Sequence, residues 1–378
     1  VTSPPLDAAR AVRPGEELDG AALSAWIGAH FPKLANRPLT VQQFPAGHSN
    51  LTYLVRVGEG ANAPELVIRR PPFGSQVKSA HDMGREFAIQ SALAGRFPVP
   101  RALAYERDEA VLGAPFYAME RVVGVIARKS LGVAVMPETY ARLSEALVET
   151  MVALHAIDWR TDEGLANLYR GAGFVRRQVE GWSRRWDEAR TEDVPAIEGL
   201  RQELLRDVPA DVGATIVHND LKYDNLVLDP ADLGNAPREG REAATIVLAV
   251  LDWEMATIGC PLMDLGTSLG YWVEATDPAA MKLMAFVPTY EAGNLDRAGV
   301  VRRYEERSGR VVRRPVFYFV FGLFKLAVVG QQIYRRFVLG KTQDKRFAMF
   351  GQAVRALGDL GVRALDADRV SQLSGNSI

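Results

Sequence analysis

The chain has 378 residues, 48% of them apolar and 24% charged, with a formal net charge of −1. That length suits two lobes of unequal size rather than one small domain, and the near-zero charge gives no general attraction to nucleic acid or a membrane. The single cysteine, Cys260, excludes an internal disulfide framework and a Cys-rich zinc site, so the cytoplasm is the expected compartment.

In chain order, residues 1–17 read as a loose Pro-rich leader without the basic start and apolar core of a signal peptide. An amphipathic helix is expected from Ala21 to Phe31. Strand-like runs follow at Leu39–Phe44, Leu51–Val57 and Glu65–Arg70, separated by turn residues. A helix is expected over Ser79–Leu93, then strands at Arg101–Tyr105 and Phe116–Val122. Beyond Gly124 helical periodicity dominates, at Pro137–His155, Ala172–Arg190 and Ile197–Arg206. A strand-like pair, Leu226–Leu228 and Ile246–Leu251, flanks a polar loop from Asp229 to Ala243 that reads as a surface excursion. Helices resume near Leu262 and include Val316–Arg336 and Lys345–Leu357, with a frayed tail after Val370. The apolar run from Pro315 to Val329 would cover roughly 22 Å as a helix, short of a bilayer core, so a buried core helix is expected there. The fold class is α+β: a β-rich amino lobe (1–122) with a five-stranded antiparallel sheet, and a larger, mainly helical carboxyl lobe (123–378).

The most informative segment is His218-Asn219-Asp220-Leu221-Lys222-Tyr223-Asp224-Asn225. Phosphoryl transfer needs a carboxylate to orient the attacking hydroxyl and accept its proton, and oxygen ligands for the magnesium on the phosphates. An Asp and an Asn five apart on a tight loop can face one small volume, and H-R-D-L-x-x-x-N has this spacing. Lys222 is placed to meet phosphate charge in the transition state. The bland alternative is a turn capped by Asp and Asn. Downstream, the apolar run 246–251 ends at Asp252. A carboxylate at the end of a buried strand needs a cation or hydrogen bonds; magnesium shared with Asn225 would meet that need, and an N-cap is the alternative.

In the amino lobe, the small-residue turn Gly47-His48-Ser49-Asn50 could lay donors over phosphates, or be an ordinary hairpin. Arg69 at the end of the third strand and Glu86 in the next helix match a strand cation held by a helix carboxylate, which grips the phosphates. Arg70 competes with Arg69, and strand alternation lets only one serve. The Glu120 carbonyl and the Val122 amide are candidates for reading an adenine edge.

Together these motifs resemble the aminoglycoside phosphotransferase family, which shares the protein-kinase-like fold with choline kinases. The resemblance covers roughly residues 35 to 275. Its most specific pieces are Val217 through Asn225, with Asn219 where the family usually has Gly, and Val250-Leu251-Asp252-Trp253-Glu254. The segments 44–53 and 69–74 look like one branch, whose kinase-like domain is fused to acyl-CoA dehydrogenases in some animal proteins. The resemblance implies ATP and Mg2+ as cofactors and Asp220 as catalytic base. It also implies Asn225 and Asp252 as metal ligands, with Arg69 and Glu86 at the phosphates. Between Val301 and Arg346 nine Arg and three Lys stand against three acidic residues. That balance, with Tyr304, Phe317, Tyr318, Phe319 and Tyr334 nearby, suits an anionic or amphiphilic small-molecule acceptor such as a hydroxyacyl compound. Antibiotic phosphorylation and a non-catalytic nucleotide-binding module are the alternatives.

Overall fold

The computed structural model describes residues 6–45, 50–73, 82–233, 246–340 and 345–374. The chain divides into two compact units. A sheet unit takes Leu6–Val125 together with Leu248–Ala256, and a helical unit takes Ile126–Val247 and Thr257–Ile378.

In the sheet unit, α1 (Gly20–His30) is started by Asp19, whose carboxylate accepts the Ala21 and Ala22 amides. Strands β1 (Leu39–Gln43), β2 (Leu51–Val57) and β3 (Glu65–Arg70) precede α2 (Met83–Leu93), capped by Asp82. Then come β4 (Ala102–Glu106), the one-turn α3 (Glu109–Leu112) and β5 (Phe116–Glu120). The sheet order is β1-β2-β3-β5-β4, with every neighbouring pair antiparallel. Both faces are covered, which explains why β2 and β3 read as almost unbroken apolar runs. Tyr53, Val55, Ile68, Phe116 and Ala118 pack against Leu23, Trp26 and Ile27 of α1. Leu54, Val67, Tyr117 and Met119 pack on the other face with Met83 and Phe87 of α2. Trp26 is anchored by its indole N–H to Glu106 at 2.9 Å.

The helical unit opens with α4 (Pro137–Ala156), α5 (Glu163–Ala166), α6 (Phe174–Ala189) and α7 (Pro195–Arg206). Next are β6 (Thr215–Val217) and β7 (Leu226–Leu228); β8 (Val247–Val250) leads the chain into the returning segment. β9 (Thr257–Gly259), antiparallel to β6, is followed by α8 (Pro261–Tyr271), α9 (Ala279–Met284), α10 (Arg297–Ser308), α11 (Pro315–Val338) and α12 (Met349–Ala367). Arg297 is fully buried, donates to both oxygens of Asp277 at 2.7 Å and holds the Val370 carbonyl at 2.5 Å. The segment after α12 is therefore pinned into the core rather than frayed, at least as far as Leu373.

Two sequence expectations change here. Residues 248–256 belong with the sheet unit, not with the part after residue 122: the Arg85 side chain of α2 donates to the Glu254 and Ala256 carbonyls, and Trp253 stacks edge-on against Phe97. Secondly, the helix expected over Val316–Arg336 is α11, Pro315–Val338, and its 24 residues would suffice to cross a membrane, although the apolar run from Pro315 to Val329 alone would not. Burial, not shortness, marks it as a core helix: most of it is covered, by α12, α8, α6 and α7.

Helices α8 and α11 approach backbone to backbone through glycine. A Cβ on Gly322 would stand 2.1 Å from the Gly266 carbonyl oxygen, and one on Gly266 would stand 2.2 Å from the Tyr318 carbonyl oxygen. Only hydrogen fits there, and relief would require the helices to separate. Gly322→Ala is therefore expected to lower stability by about 2–3 kcal/mol or more, read as a reduced urea midpoint with an unchanged slope.

Candidate active site

One set of candidate residues lies in the helical unit. β6 delivers His218 and Asn219 to the N-terminal end of α8, where the Asp264 carboxylate waits. The His218 amide donates to Oδ2 at 2.8 Å and the Asn219 amide to Oδ1 at 2.6 Å. Asp264 is fully buried and also meets the ring of His155 at 3.1 Å; that ring's other nitrogen meets the Tyr304 hydroxyl at 2.8 Å. Burial pulls the Asp264 carboxyl up, but His155 and the His218 amide outweigh it and hold it below the usual carboxylate range. Asn219 has φ 62, a left-handed conformation that Gly takes freely and Asn tolerates. That accounts for Asn at a position where the resembled family uses Gly.

The turn presents Asp220. Its Oδ2 accepts from Lys222 Nζ at 2.6 Å and from Asn225 Nδ2 at 3.0 Å, and its carbonyl accepts from the same Asn225 amide at 2.8 Å. On the far side Ser268 Oγ of α8 donates to the Leu221 carbonyl at 2.7 Å. Burial raises Asp220, yet Lys222, then Lys325 and the Tyr271 hydroxyl, more than offset this, so the carboxyl sits below its ordinary range. Lys222 is the counterpart: burial disfavours its charge, but Asp220 and Asp224 drive its pKa up. Its Nζ also lies 3.3 Å from Asp224 Oδ1 and 5.0 Å from the centre of the Tyr271 ring.

A separate set of candidate residues lies in the sheet unit. Arg69 Nε bonds Glu86 Oε2 at 3.1 Å, and its Nη2 bonds Asp252 Oδ1. Burial disfavours the guanidinium charge, but Glu86 and then Asp252 outweigh it and push the Arg69 pKa up. Arg70 points to the opposite face, over the Phe73 ring at 3.6 Å with its Nε on the Pro71 carbonyl. Alternation has thus separated the two arginines, and Arg69 is the one that meets Glu86. Asp252 stands at φ 65, and its side chain accepts none of the amides of the turn it precedes. The N-cap alternative is removed. Asn50 Nδ2 donates to Glu254 Oε2 at 2.9 Å, so Asn50 braces this segment. Ser49, with Gly47 and His48, lies outside the described residues.

At the end of β5 the Glu120 carboxylate accepts the Arg101 amide at 3.1 Å and the Glu120 amide donates to the Arg101 carbonyl at 3.0 Å. This side chain fixes the chain where it leaves the sheet. The Val122 amide is in the segment that follows, beyond the last ladder position. Sequence reasoning missed Asn50–Glu254, the Arg85 contacts and Tyr271; Glu254 stands beside Asp252 and Arg85 beside Glu86, whereas Tyr271 carries no spacing signal.

Each unit offers an oxygen of the kind magnesium takes. In the helical unit Asn225 spends its Nδ2 on Asp220, which leaves its Oδ1, and in the sheet unit the Asp252 side chain is 29% exposed with one oxygen on Arg69. Among the described residues no group of three His, Cys, Asp or Glu could cage a metal; magnesium takes one or two side-chain oxygens and completes its shell with water and phosphate.

The expected acceptor-binding charge is differently used. Arg303 pairs with Glu145 at 2.8 Å, Arg307 with Glu149 at 3.2 Å and Arg314 with Asp207 at 3.1 Å. Tyr304, Phe317, Tyr318 and Phe319 are buried. Much of the basic, aromatic carboxyl end is therefore packing and helix-to-helix pairing rather than a binding surface.

The loop with its buried carboxylate partner, and the cation-bridged strand, are each features expected of a kinase-like phosphotransferase. Residues 40–303 match the model of the phosphotransferase enzyme family (APH), and the chain belongs to that family. A Ralstonia eutropha protein described provisionally as an aminoglycoside phosphotransferase is 30% identical, with a TM-score of 0.73 over 93% of this chain and 99% of that one. Acyl-CoA dehydrogenase family member 11 of Pongo abelii is 32% identical over 93% of this chain. The human protein of that name is 31% identical over the same share. The chain spans 44% of the length of each of these two curated relatives. The family and fold make it a transferase that moves a phosphoryl group to an alcohol acceptor.

Asp264→Asn leaves one of the two loop amides facing an amide group instead of a carboxylate, and is expected to cost about 3 kcal/mol. Because the folded Asp264 pKa lies below its unfolded value, that contribution is complete above about pH 4 and is lost as pH falls through the folded value. Urea midpoints of wild type and Asp264→Asn should therefore converge on acidification below about pH 4; a constant gap would contradict this.

Removing the charge of Arg69 leaves Glu86 buried and unpaired beside Asp252. Arg69→Met is expected to lower stability by about 3–5 kcal/mol, with Arg69→Lys intermediate because one ammonium cannot reproduce the planar fork. Thermal melts of the two variants check the ranking.

Proposed function

We propose that this chain transfers the γ-phosphoryl group of ATP, as its Mg2+ complex, to a hydroxyl on an anionic or amphiphilic acceptor, with a hydroxyacyl compound as the favoured class. The observation that supports this most is Asp220: a partly buried carboxylate whose backbone is gripped on both sides and whose oxygen is ordered by Lys222 and Asn225. A binding-only module has no use for such a group. The acceptor class rests on the acyl-CoA dehydrogenase names of the curated relatives, since most of the basic carboxyl-end side chains named above are committed to ion pairs.

A depressed carboxyl is a weak base, and phosphoryl transfer accommodates one. The transition state is loose, with little bond to the incoming oxygen, so the hydroxyl keeps its proton until late. Asp220 orients that hydroxyl and takes the proton as the new P–O bond closes. Lys222, already against Asp220, supplies a cation for the transferring group. Asn225 and Asp252 are the proposed oxygen ligands of Mg2+, which when bound would neutralise phosphate charge. Arg69, oriented by Glu86, is the proposed phosphate-facing cation, and Asn50 with Ser49 and the Glu120–Val122 backbone are the proposed remaining nucleotide contacts.

Asp220→Ala is expected to cut turnover by ~10²–10⁴ while leaving MgATP affinity within a few-fold, measured by acceptor screening with labelled ATP and by calorimetry. Equal turnover in variant and wild type would remove Asp220 from the chemistry. Antibiotic phosphorylation is the second reading, favoured by the description of the Ralstonia relative; a resistance assay in a sensitive host separates the two.

A further inference from the structure

Lys325 is the one side chain of α11 that brings charge into the packed middle of that helix. It is 5% exposed, and its Nζ donates to the Asn219 carbonyl at 2.6 Å. Burying an ammonium is costly unless it is paired and hydrogen-bonded, so the position needs a reason. Asn219 is the residue with φ 62, and its amide is already held by Asp264 at 2.6 Å. A carboxylate therefore grips the peptide before Asn219 and an ammonium grips the peptide after it, the one that leads into Asp220. Gly322, three residues earlier on the same face of α11, is where that helix touches the α8 backbone. The close approach brings the lysine within reach of the loop.

We propose that Lys325 is a positioning residue of the catalytic loop, holding the Asn219–Asp220 peptide so that the Asp220 carboxylate faces the acceptor hydroxyl. This rests on the reading of Asp220 as the base. Lys325 touches neither nucleotide nor acceptor and acts through Asn219.

The surrounding charges fit a cation held under tension. Burial opposes its charge first; Asp220 and Asp264 of α8 favour it; Lys222 and Arg185 of α6 oppose it. The Trp182 ring of α6 lies 5.5 Å away and favours the ammonium. The balance pulls its pKa down to about 8, so the charged grip is complete below that pH and weakens above it.

The test compares wild type, Lys325→Met and Lys325→Arg, with MgATP as the probe. Lys325→Met should lower the turnover of MgATP roughly 10- to 100-fold with KM for MgATP within about twofold, the signature of a lost transition-state alignment. Hydrogen exchange at the amides of 219–222 should speed up in the same variant, and Lys325→Arg should recover part of both. Wild-type turnover and wild-type exchange in Lys325→Met would overturn the proposal. If wild type and Asp220→Ala turn over MgATP equally, the reading of the base fails, while the exchange comparison still decides whether Lys325 holds the loop. If Lys325→Met does not fold, the wild type carries the test. Protection of amides 219–222, corrected for intrinsic exchange, should fall with a midpoint near 8 together with the ¹⁵N titration of the lysine Nζ. Protection that stays flat through that titration overturns the proposal.

Discussion

A single buried carboxylate organises the helical unit. Asp264 collects two consecutive amides of the catalytic loop and a histidine ring in the interior. Its partners are two amides of one loop and the ring of His155 on α4, so the carboxylate ties together three elements that the chain supplies far apart. The loop conformation follows from this. Two adjacent N–H groups can point at one acceptor only if the backbone turns sharply, and Asn219 supplies the turn at φ 62. Asp220 then emerges with its direction already fixed, before any substrate contributes binding energy.

The sheet unit uses the reverse device, one cation serving several carboxylates. Arg69 is nearly enclosed and faces Glu86, Asp252 and, at 3.9 Å, Glu254. A lysine would give one point of attachment; the guanidinium gives several in a plane. The planar fork of Arg69 is thus matched by a local excess of carboxylates. The returning segment 248–256 is covalently part of the passage between elements of the helical unit, yet it packs on Arg85 of α2 and on Phe97 just beyond that helix. Asp252 consequently moves with the arginine that binds it.

How much of this was legible depended on how local the information was. The bounds of β2 and β3 followed from period and turn residues, and the spacing from His218 to Asn225 pointed to one small cluster because Asp220, Lys222 and Asn225 sit on one loop. Alternation along β3 separated Arg69 from Arg70 before any partner was known. What stayed hidden were pairings over long sequence separation. Nothing near Asn50 names Glu254, and nothing near Lys325 names Asn219. The charge count between Val301 and Arg346 misled for the same reason, since Glu145, Glu149 and Asp207, which consume several of those arginines, lie on elements more than 100 residues earlier in the chain. The bounds of α11 were legible to within two residues at each end, but its membrane-spanning length was not, because Lys325 and the glycines break the apolar run without breaking the helix.

The enclosure of α11 has a consequence for biosynthesis. A helix this apolar is safe only once α6, α7, α8 and α12 surround it, and α12 is made last of these. While the ribosome is still adding residues 349–367, the nascent chain holds a membrane-like segment with one wall missing. The helical unit then lacks its final layer until α12 has emerged, and any pause in that interval exposes to the translocation and quality-control machinery a stretch resembling its own substrates.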